Sequence, residues 1–307
     1  MPSLQALAAR ALLRATVKWP SAFDTPETDL AIARMRSALE RASRLWGRIP
    51  AGIAQREIRS GAVSGEWIAS RNASPAGAQR ILYYLHGGGY VAGSPAAYRS
   101  LTCALARTTG ANVFALDYRL APEHRFPAAV QDAVAGFTWL LERGYPPKRI
   151  AMAGDSAGGG LALATAIVLR DRGLPLPAAL ALFSPWTDLA GSGASVIANA
   201  RSEDMLVGRD TYALARAYLG DVSPRDPLAS PLYADLRGLP PTLVHASTSE
   251  LLLDDARRIV AAAQAANVIA ALRLRRGLPH AWQVFAFLPE TRASLDETSA
   301  FFDARWE

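Results

Sequence analysis

A serine inside a glycine-bounded pentapeptide is the first group whose type and spacing could do chemistry. Residues 154–158 read Gly-Asp-Ser-Ala-Gly, after an apolar run at 150–153 and at the start of a helical pattern over 157–170. A strand, a tight turn and a helix in that order expose the Ser156 hydroxyl, and the helix N-terminus directs free N–H groups towards it. The alternative is a glycine-rich turn without chemistry, but this context favours a nucleophile for acyl transfer.

Three consecutive glycines follow the apolar run at 81–85. Residues 86–90 read His-Gly-Gly-Gly-Tyr, and glycines leave backbone N–H groups accessible to an oxyanion. Residues 87–92 also fit a loose dinucleotide-binding pattern, which needs an immediate helix and an acidic residue about 20 positions later. Pro95 interrupts such a helix and Asp117 is 30 residues from the first glycine, so we favour an oxyanion loop.

His280 is the histidine best placed to act as a base for this serine. It follows the last predicted strand, at 268–274, and the order serine, acid, histidine is one of the known chain orders of hydrolytic triads. A lone histidine is more often structural, but the other three fit the role less well. His86 lies in the glycine loop, His124 follows a proline-rich turn before the serine, and His245 lies inside an apolar strand pattern.

Three carboxylates compete for the acidic position between the serine and the histidine. Residues 249–255 read Ser-Glu-Leu-Leu-Leu-Asp-Asp. Glu250 follows the predicted strand at 242–246 by a few residues, where a loop carboxylate can reach across the carboxyl edge of a parallel sheet. Asp254 and Asp255 fall on the first turn of the next predicted helix, where acids are ordinarily explained by the helix dipole.

These candidates lie at the ends of predicted strands that alternate with predicted helices. Apolar runs predict strands at 81–85, 112–116, 150–153, 180–183, 242–246 and 268–274, and amphipathic patterns predict helices at 128–143, 157–170 and 252–265. This alternation indicates an α/β fold whose mostly parallel central sheet is covered by helices on both faces.

Two helical segments outside this alternation predict a cap over one end of the sheet. Residues 1–50 read as two helices, the first ended by Pro20 and the second begun by Thr-Pro-Glu at 25–27. Helix-like residues at 192–220 interrupt the strand–helix alternation. We therefore divide the chain into N-terminal cap helices at 1–50 and a catalytic domain at 51–307, with a cap insertion at about 190–220.

The composition excludes several classes of protein. The 307 residues are 50% hydrophobic and 20% charged, which is ordinary for a globular protein. One cysteine, Cys103, forms no intrachain disulfide, and no two histidines are four residues apart, so neither a disulfide scaffold nor a helical two-histidine metal site is expected. The formal charge is +6, but residues 1–60 hold ten Lys and Arg against five Asp and Glu without a concentrated stripe. Nucleic-acid binding is therefore not expected.

The first predicted helix is amphipathic. Its apolar positions at helical spacing are Leu4, Leu7, Ala8, Ala11, Leu12 and Ala15. We expect this stripe to pack on the protein itself, and a membrane surface is the alternative. No segment of the sequence is expected to span a membrane, and Arg10, Arg14 and Lys18 interrupt the apolar residues before a signal peptide could develop, so we expect a cytoplasmic location.

The motifs together resemble the hormone-sensitive lipase family of bacterial esterases, a group of α/β-hydrolases. The resemblance extends from about residue 80 to 285. The segments that carry it are His-Gly-Gly-Gly at 86–89, Asp-Tyr-Arg-Leu-Ala-Pro-Glu at 117–123, Gly-Asp-Ser-Ala-Gly-Gly at 154–159, Ser-Pro-Trp-Thr-Asp-Leu at 184–189 and Pro-His-Ala-Trp at 279–282. Several long motifs in the same order make chance agreement negligible.

The resemblance implies a role for each candidate residue. Ser156 is the nucleophile and His280 the general base, while the N–H groups of Gly88, Gly89 and Ala157 form the oxyanion hole. The cap helices and the insertion would roof the acyl pocket.

The same resemblance assigns the acid, with a departure from the commoner family pattern. That pattern has an aspartate followed by a proline, whereas alignment on the leucine and the later acids places Glu250 there. A glutamate is chemically competent, because it need only accept the imidazole N–H and stabilise the imidazolium. Arg119 and Glu123 are expected to make a structural ion pair or loop contact, and Asp155 to fix a neighbouring loop.

The implied function is hydrolysis of short- to medium-chain carboxylic esters through an acyl-enzyme, without a cofactor. Amide or lactone hydrolysis and acyl transfer use the same triad. A non-catalytic receptor is a further alternative, since plant gibberellin receptors resemble this family but lack the histidine; the presence of His280 argues against it. The last strand, at 268–274, would lie at a sheet edge, and because bacterial relatives often pair this edge we expect a homodimer.

Overall fold

An eight-stranded sheet is the central element of the fold. The computed structural model describes residues 2–16 and 28–306. Its strands are β1 (Ile53–Ser60), β2 (Val63–Ser70), β3 (Ile81–Leu85), β4 (Asn112–Leu116), β5 (Ile150–Asp155), β6 (Leu180–Phe183), β7 (Thr242–Ser247) and β8 (Ala270–Arg275). They are arranged in the order β1-β2-β4-β3-β5-β6-β7-β8. β2 pairs antiparallel with β1 and with β4, and all the other neighbours are parallel.

Helices cover both faces of this sheet. They are α1 (Leu4–Thr16), α2 (Thr28–Trp46), α3 (Arg99–Thr109), α4 (Ala128–Glu142), α5 (Ala157–Asp171), α6 (Ser195–Ala198), α7 (Gly208–Leu219), α8 (Leu253–Ala265) and α9 (Pro289–Asp303). Helices α3 and α9 pack on one face of the sheet, and α4, α5 and α8 on the other. Successive residues of β3 alternate between the two cores, as the period of two of a strand requires: Tyr83 faces the second layer and Tyr84 the first. The predicted α/β fold with a mostly parallel sheet is confirmed.

The strands that hold the candidate residues agree closely with the sequence prediction. The bounds of β3, β4 and β6 are those predicted, β5 and β7 each extend further at their carboxyl ends, and β8 begins at Ala270 rather than at 268. Strand β8 forms an edge of the sheet, as expected. The hairpin of β1 and β2 and the helices α3 and α9 were not predicted.

The contact face of α1 differs from the predicted one. Ala6, Ala9 and Leu13 are buried, the first two in a small apolar cluster with Leu278 and Trp282, whereas the leucines of the predicted stripe face solvent. Leu4, Leu7 and Leu12 are 83%, 48% and 61% exposed. The reason is that small alanines let the helix approach closely and that Arg10, on the same face, bonds to the buried Asp204 and to the carbonyl of Gly277. The predicted contact face of α1, which was taken from the apolar residues alone, is therefore wrong.

The predicted cap segments contact the loops at the carboxyl edge of the sheet. Helices α6 and α7 lie in the predicted insertion at about 190–220. Arg36 on α2 donates to the carbonyls of Val91 and Ala121 and pairs with Glu123, so α2 borders the loop after β3. The predicted helix end at Pro20 and the predicted helix start at 25–27 lie outside the described residues. The division at residue 50 stays a prediction.

Candidate active site

Ser156 lies on the sharp turn between β5 and α5. Its backbone has φ 51° and ψ −121°, which is strained for a residue with a side chain. Its N–H donates to the carbonyl of Phe183 at 2.9 Å, and its own carbonyl accepts from Trp186 at 2.9 Å and Gly159 at 3.0 Å. These bonds to the end of β6 and the start of α5 hold the strained turn, so the hydroxyl lies above the carboxyl edge of the sheet.

Two glycines make this turn possible. A Cβ at Gly158 would collide with the carbonyl oxygens of Leu85 and His86. A Cβ at Gly154 would collide with the carbonyl oxygen of Gly158. Strand β3, strand β5 and helix α5 can therefore approach only where these side chains are missing. This is the packing reason that the sequence pattern indicated.

Glu250 and His280 are hydrogen-bonded to each other. His280 Nδ1 and Glu250 Oε2 are 2.8 Å apart, and both side chains are buried. The other carboxylate oxygen of Glu250 accepts from the N–H of Ser247 at 2.7 Å, which fixes its orientation. His280 Nε2 is buried and has no hydrogen-bond partner among the described residues.

Burial and the contact with Glu250 have opposite effects on the pKa of His280. Burial by itself lowers the pKa of the imidazole, but the hydrogen bond and charge of Glu250, followed by the charges of Glu203 and Asp155, raise it, and the net shift is upward from 6.5. An imidazole in this environment is a stronger base than a free one and stabilises the proton that it takes.

The loop of His280 and the turn of Ser156 are bonded to adjacent residues. Ala281, which follows the histidine, donates its N–H to Ser184 Oγ at 3.0 Å. Ser184 follows Phe183, whose carbonyl holds the N–H of Ser156. Both Ala281 and Ser184 have positive φ angles, 47° and 49°, so the tight approach of the two loops is accompanied by backbone strain. The structure thus brings the predicted serine, acid and histidine to one edge of the sheet.

The glycine loop presents N–H groups at the same edge. Gly88 and Gly89 have φ angles of 107° and 63°, a region that favours glycine. No acceptor for their N–H groups, or for that of Ala157 at the start of α5, occurs within residues 2–16 and 28–306. By contrast Gly87 donates to Asp155 at 2.8 Å. Three unoccupied donors beside a serine suit a developing oxyanion.

Asp155 fixes this loop, as expected from the sequence. One of its carboxylate oxygens accepts from Tyr84 Oη at 2.5 Å as well as from Gly87. Burial raises its pKa to about 6, against the opposing effect of these donors. His86, the first residue of the loop, stacks on Tyr118 with centroids 4.2 Å apart, and burial lowers its pKa to about 4. Its imidazole is therefore a neutral structural group.

The chain is similar in sequence and in fold to known proteins. Residues 82–284 match a family described as having the α/β-hydrolase fold. An acetyl-hydrolase of Streptomyces hygroscopicus is 44% identical over 268 residues, 87% of this chain and 88% of the relative. A solved esterase of the bacterial hormone-sensitive lipase family is 41% identical, with a TM-score of 0.83 over 92% of this chain and 99% of that one.

The chain belongs to the bacterial hormone-sensitive lipase family of α/β-hydrolases. A further solved structure, that of EstE5 soaked with p-nitrophenyl butyrate, is 33% identical, with a TM-score of 0.90 over 99% of both chains. The predicted family and the predicted enzyme class are confirmed by these relatives.

Asp254 and Asp255, the two alternatives to Glu250 as the acid of the triad, have other partners. Asp254 accepts from the N–H of Ser195 at 2.9 Å. Asp255 is buried and accepts from the N–H groups of Thr187 and Asp188, each at 2.8 Å. Neither carboxylate is bonded to His280: Asp254 connects the start of α8 to the start of α6, and Asp255 connects it to the segment after β6.

Arg119 and Glu123, both in the segment at 117–123, make structural ion pairs. Arg119 pairs with Asp132 on α4, and Glu123 pairs with Arg36 on α2. An ion pair or loop contact was expected here; Arg119 and Glu123 each pair with a residue on a helix and not with each other.

Two residues near the site belong to no sequence motif and were not predicted. Glu203 is buried beside the loop of Glu250, and Tyr218 on α7 stacks on Tyr90 of the glycine loop. A pair of adjacent acids at 203–204 in an otherwise helical insertion was the only available signal for the first.

Within the described residues, no group of three or more His, Cys, Asp or Glu side chains is arranged to hold a metal ion. None of the helices there has the length and hydropathy needed to cross a bilayer.

Proposed function

We propose that the protein hydrolyses short- to medium-chain carboxylic esters with a triad of Ser156, His280 and Glu250. The observation that carries the proposal is the orientation of His280. Its Nδ1 is held by Glu250 at 2.8 Å, which leaves Nε2 as a buried nitrogen without a partner among the described residues. An imidazole held in this tautomer accepts a proton at Nε2.

In the acylation step, Ser156 Oγ attacks the ester carbonyl carbon as His280 Nε2 takes the hydroxyl proton. The carbonyl oxygen becomes an oxyanion, which the N–H groups of Gly88, Gly89 and Ala157 stabilise. Because these donors are fixed before substrate arrives, they need no reorganisation in the transition state. The imidazolium then protonates the departing alcohol, and the acyl group stays on the serine.

In the deacylation step, water replaces the alcohol. His280 Nε2 takes a proton from the water as its oxygen attacks the acyl carbon, and the imidazolium returns that proton to Ser156 Oγ as the acid leaves. Glu250 stays ionised throughout and stabilises the imidazolium in both steps.

The insertion at about 190–220 supports a cap over a small acyl site. The side chain of Leu214 on α7 lies over the glycine loop, with its Cδ1 3.1 Å from where a Cβ on Gly89 would be. We propose that this apolar group, next to the oxyanion donors, forms part of the wall of the acyl site. The acetyl-hydrolase of Streptomyces hygroscopicus is consistent with a short acyl group.

The experiment is a panel of p-nitrophenyl esters of increasing acyl length, assayed with the wild type and Ser156→Ala. We expect turnover that is highest for short to medium chains, and a loss of about 10³-fold or more in Ser156→Ala, because only oxyanion stabilisation and binding remain. An alkyl fluorophosphonate should label the wild type and not the variant. A folded Ser156→Ala protein that retains near-wild-type turnover would overturn the proposed mechanism, and absence of both turnover and labelling in the wild type would favour a receptor. The homodimer through β8 and the cytoplasmic location stay predictions.

A further inference from the structure

The cap insertion contacts the active site at a place that no motif indicated. The backbone of residues 248–251, which includes Glu250, is bonded along its length by side chains of the insertion. Asn199 donates to the carbonyls of Thr248 and Glu250 at 3.1 and 2.9 Å. Ser202 donates to the carbonyl of Ser249 at 3.0 Å.

Glu203 adds a carboxylate to these contacts from neutral side chains. It is 1% exposed. One carboxylate oxygen accepts from the N–H groups of Asp204 and Met205 at 2.8 and 2.9 Å, and the other accepts from the N–H of Leu251 at 2.9 Å. The carboxylate thus bridges the insertion and the residue that directly follows Glu250. Three N–H donors favour the ionised form of a buried carboxylate.

The same insertion is connected to the loop of His280. Asp204 accepts from Arg10, which also donates to the carbonyl of Gly277 at 3.0 Å. Gly277 lies three residues before the histidine. The insertion is therefore bonded directly to the loop that carries the acid of the proposed triad and, through Arg10, to the loop that carries the base.

We propose that Asn199, Ser202 and Glu203 are positioning residues: they hold the backbone beside Glu250, and the Glu203 carboxylate, bonded to the residue that follows Glu250, adds a further negative charge to the surroundings of His280. The inference rests on the proposed function, because it assumes that Glu250 and His280 act in catalysis.

The charges around His280 come from three elements. Glu250 follows β7, Asp155 ends β5, and Glu203 belongs to the insertion; each of them raises the pKa of the imidazole, against burial. Burial raises the pKa of the Glu203 carboxyl, the charge of His280 lowers it, and the charge of Glu250 raises it. Removal of the Glu203 charge should therefore lower the pKa of His280 and leave the other two carboxylates in place.

The test is the pH dependence of kcat/KM and the kcat and KM at optimal pH for Glu203→Gln. The glutamine keeps the size of the side chain, but its amide nitrogen cannot accept from the N–H of Asp204 or Leu251. We expect kcat to fall about tenfold with a smaller change in KM, because a misplaced acid weakens the base without altering binding. The acidic limb of the profile should move to lower pH. Glu57→Gln, at a side chain that is 66% exposed on β1, is the matched control and should change neither quantity.

Asn199→Ala separates position from charge. It removes two bonds to the same backbone and leaves the Glu203 carboxylate, so kcat should fall severalfold while the acidic limb stays at its wild-type pH. It also keeps the inference testable if Glu203→Gln does not fold, because wild-type kcat in Asn199→Ala then overturns it.

For folded Glu203→Gln, either an unchanged kcat or a loss of kcat without a shift of the limb overturns the inference. Ser156→Ala is assayed in parallel. If its activity is lost and Glu203→Gln behaves as wild type, the inference fails while the proposed function stands; if Ser156→Ala is active, the proposed function fails.

Discussion

The ring of Tyr90 stacks on the ring of Tyr218, with centroids 3.9 Å apart and an interplanar angle of 5°. Tyr90 directly follows Gly89 and has a φ of 63°, a region that residues with side chains seldom adopt. Tyr218 lies on α7, so this stack connects the glycine loop to the cap insertion. A favourable contact between the two rings offsets part of the strain at Tyr90.

Replacement of Tyr218 by leucine should loosen the glycine loop. Leucine keeps an apolar group but removes the stack, so we expect the free energy of unfolding to fall by about 1 kcal/mol. We also expect kcat to fall about tenfold, because the oxyanion donors lose their fixed position. Urea denaturation and turnover of a short aryl ester measure the two effects.

Tyr218→Phe is the matched control for that prediction. The hydroxyl of Tyr218 is buried and has no hydrogen-bond partner among the described residues, so its removal should leave kcat unchanged and keep or raise the Tm. Equal losses in the phenylalanine and leucine variants would assign the effect to the hydroxyl and contradict the role of the stack.

Glu250→Gln should lower kcat by about 10²–10⁴-fold at neutral pH, because an amide can favour the wrong imidazole tautomer. Asp254→Asn is the control, since Asp254 bonds to Ser195 rather than to the histidine, and it should cost at most a few-fold. Steady-state kinetics on purified, folded variants measure both. Loss of activity in the asparagine variant, with activity kept in the glutamine variant, would move the acid to Asp254.

The pH dependence of the wild type follows from the raised pKa of His280. The base is active when neutral, so kcat/KM should fall as the pH decreases through the imidazole pKa. Because the net shift is upward from 6.5, the acidic limb should have its midpoint above pH 6.5. A profile of kcat/KM over about pH 5 to 9 measures it. A midpoint below 6.5 would show that burial outweighs the charge of Glu250.

Arg10→Ala should destabilise the protein much more than Arg14→Ala. Both arginines pair with Asp204, whose side chain is fully buried, but the Arg10 side chain is 18% exposed and that of Arg14 44%. Loss of Arg10 leaves the buried carboxylate with the more exposed partner and also frees the carbonyl of Gly277. We expect a loss of about 3 kcal/mol for Arg10→Ala and at most about 1 kcal/mol for Arg14→Ala. Denaturant titration compares the two, and similar losses would contradict this division.

Local patterns predicted the parts of the fold whose determinants are contiguous. The strands β3, β4 and β6 are continuous apolar runs because both their faces are buried, and glycines mark the turns at Ser156 and Gly88. The hairpin β1–β2 lacked such a signal. Strand β1 lies at an edge of the sheet and carries Arg56, Glu57 and Arg59, so its apolar alternation is interrupted.

Contacts between distant segments were beyond the reach of those patterns. The site of Glu203 depends on a bond to Leu251, and the inner face of α1 depends on the pairing of Arg10 with Asp204, which is 194 residues away. A local sequence pattern predicts that an arginine faces solvent, because the pattern carries no information about a distant residue that could pair with the arginine and make its burial favourable. For this reason the sequence predicted the existence of α1 but not its contact face.

The attachment of α1 has a consequence for how the chain assembles during synthesis. Helix α1 is held by Asp204, by the carbonyl of Gly277 and, through the preceding Ser3, by Glu290, which is 287 residues away from Ser3. Closure of such long loops is entropically unfavourable until most of the protein has formed. A nascent chain that ends before residue 202 already contains Ser156 and the glycine loop, but it has no partner for Arg10 and neither Glu250 nor His280. Helix α1 is therefore fully attached only after the last residue of the proposed triad, His280, has been made.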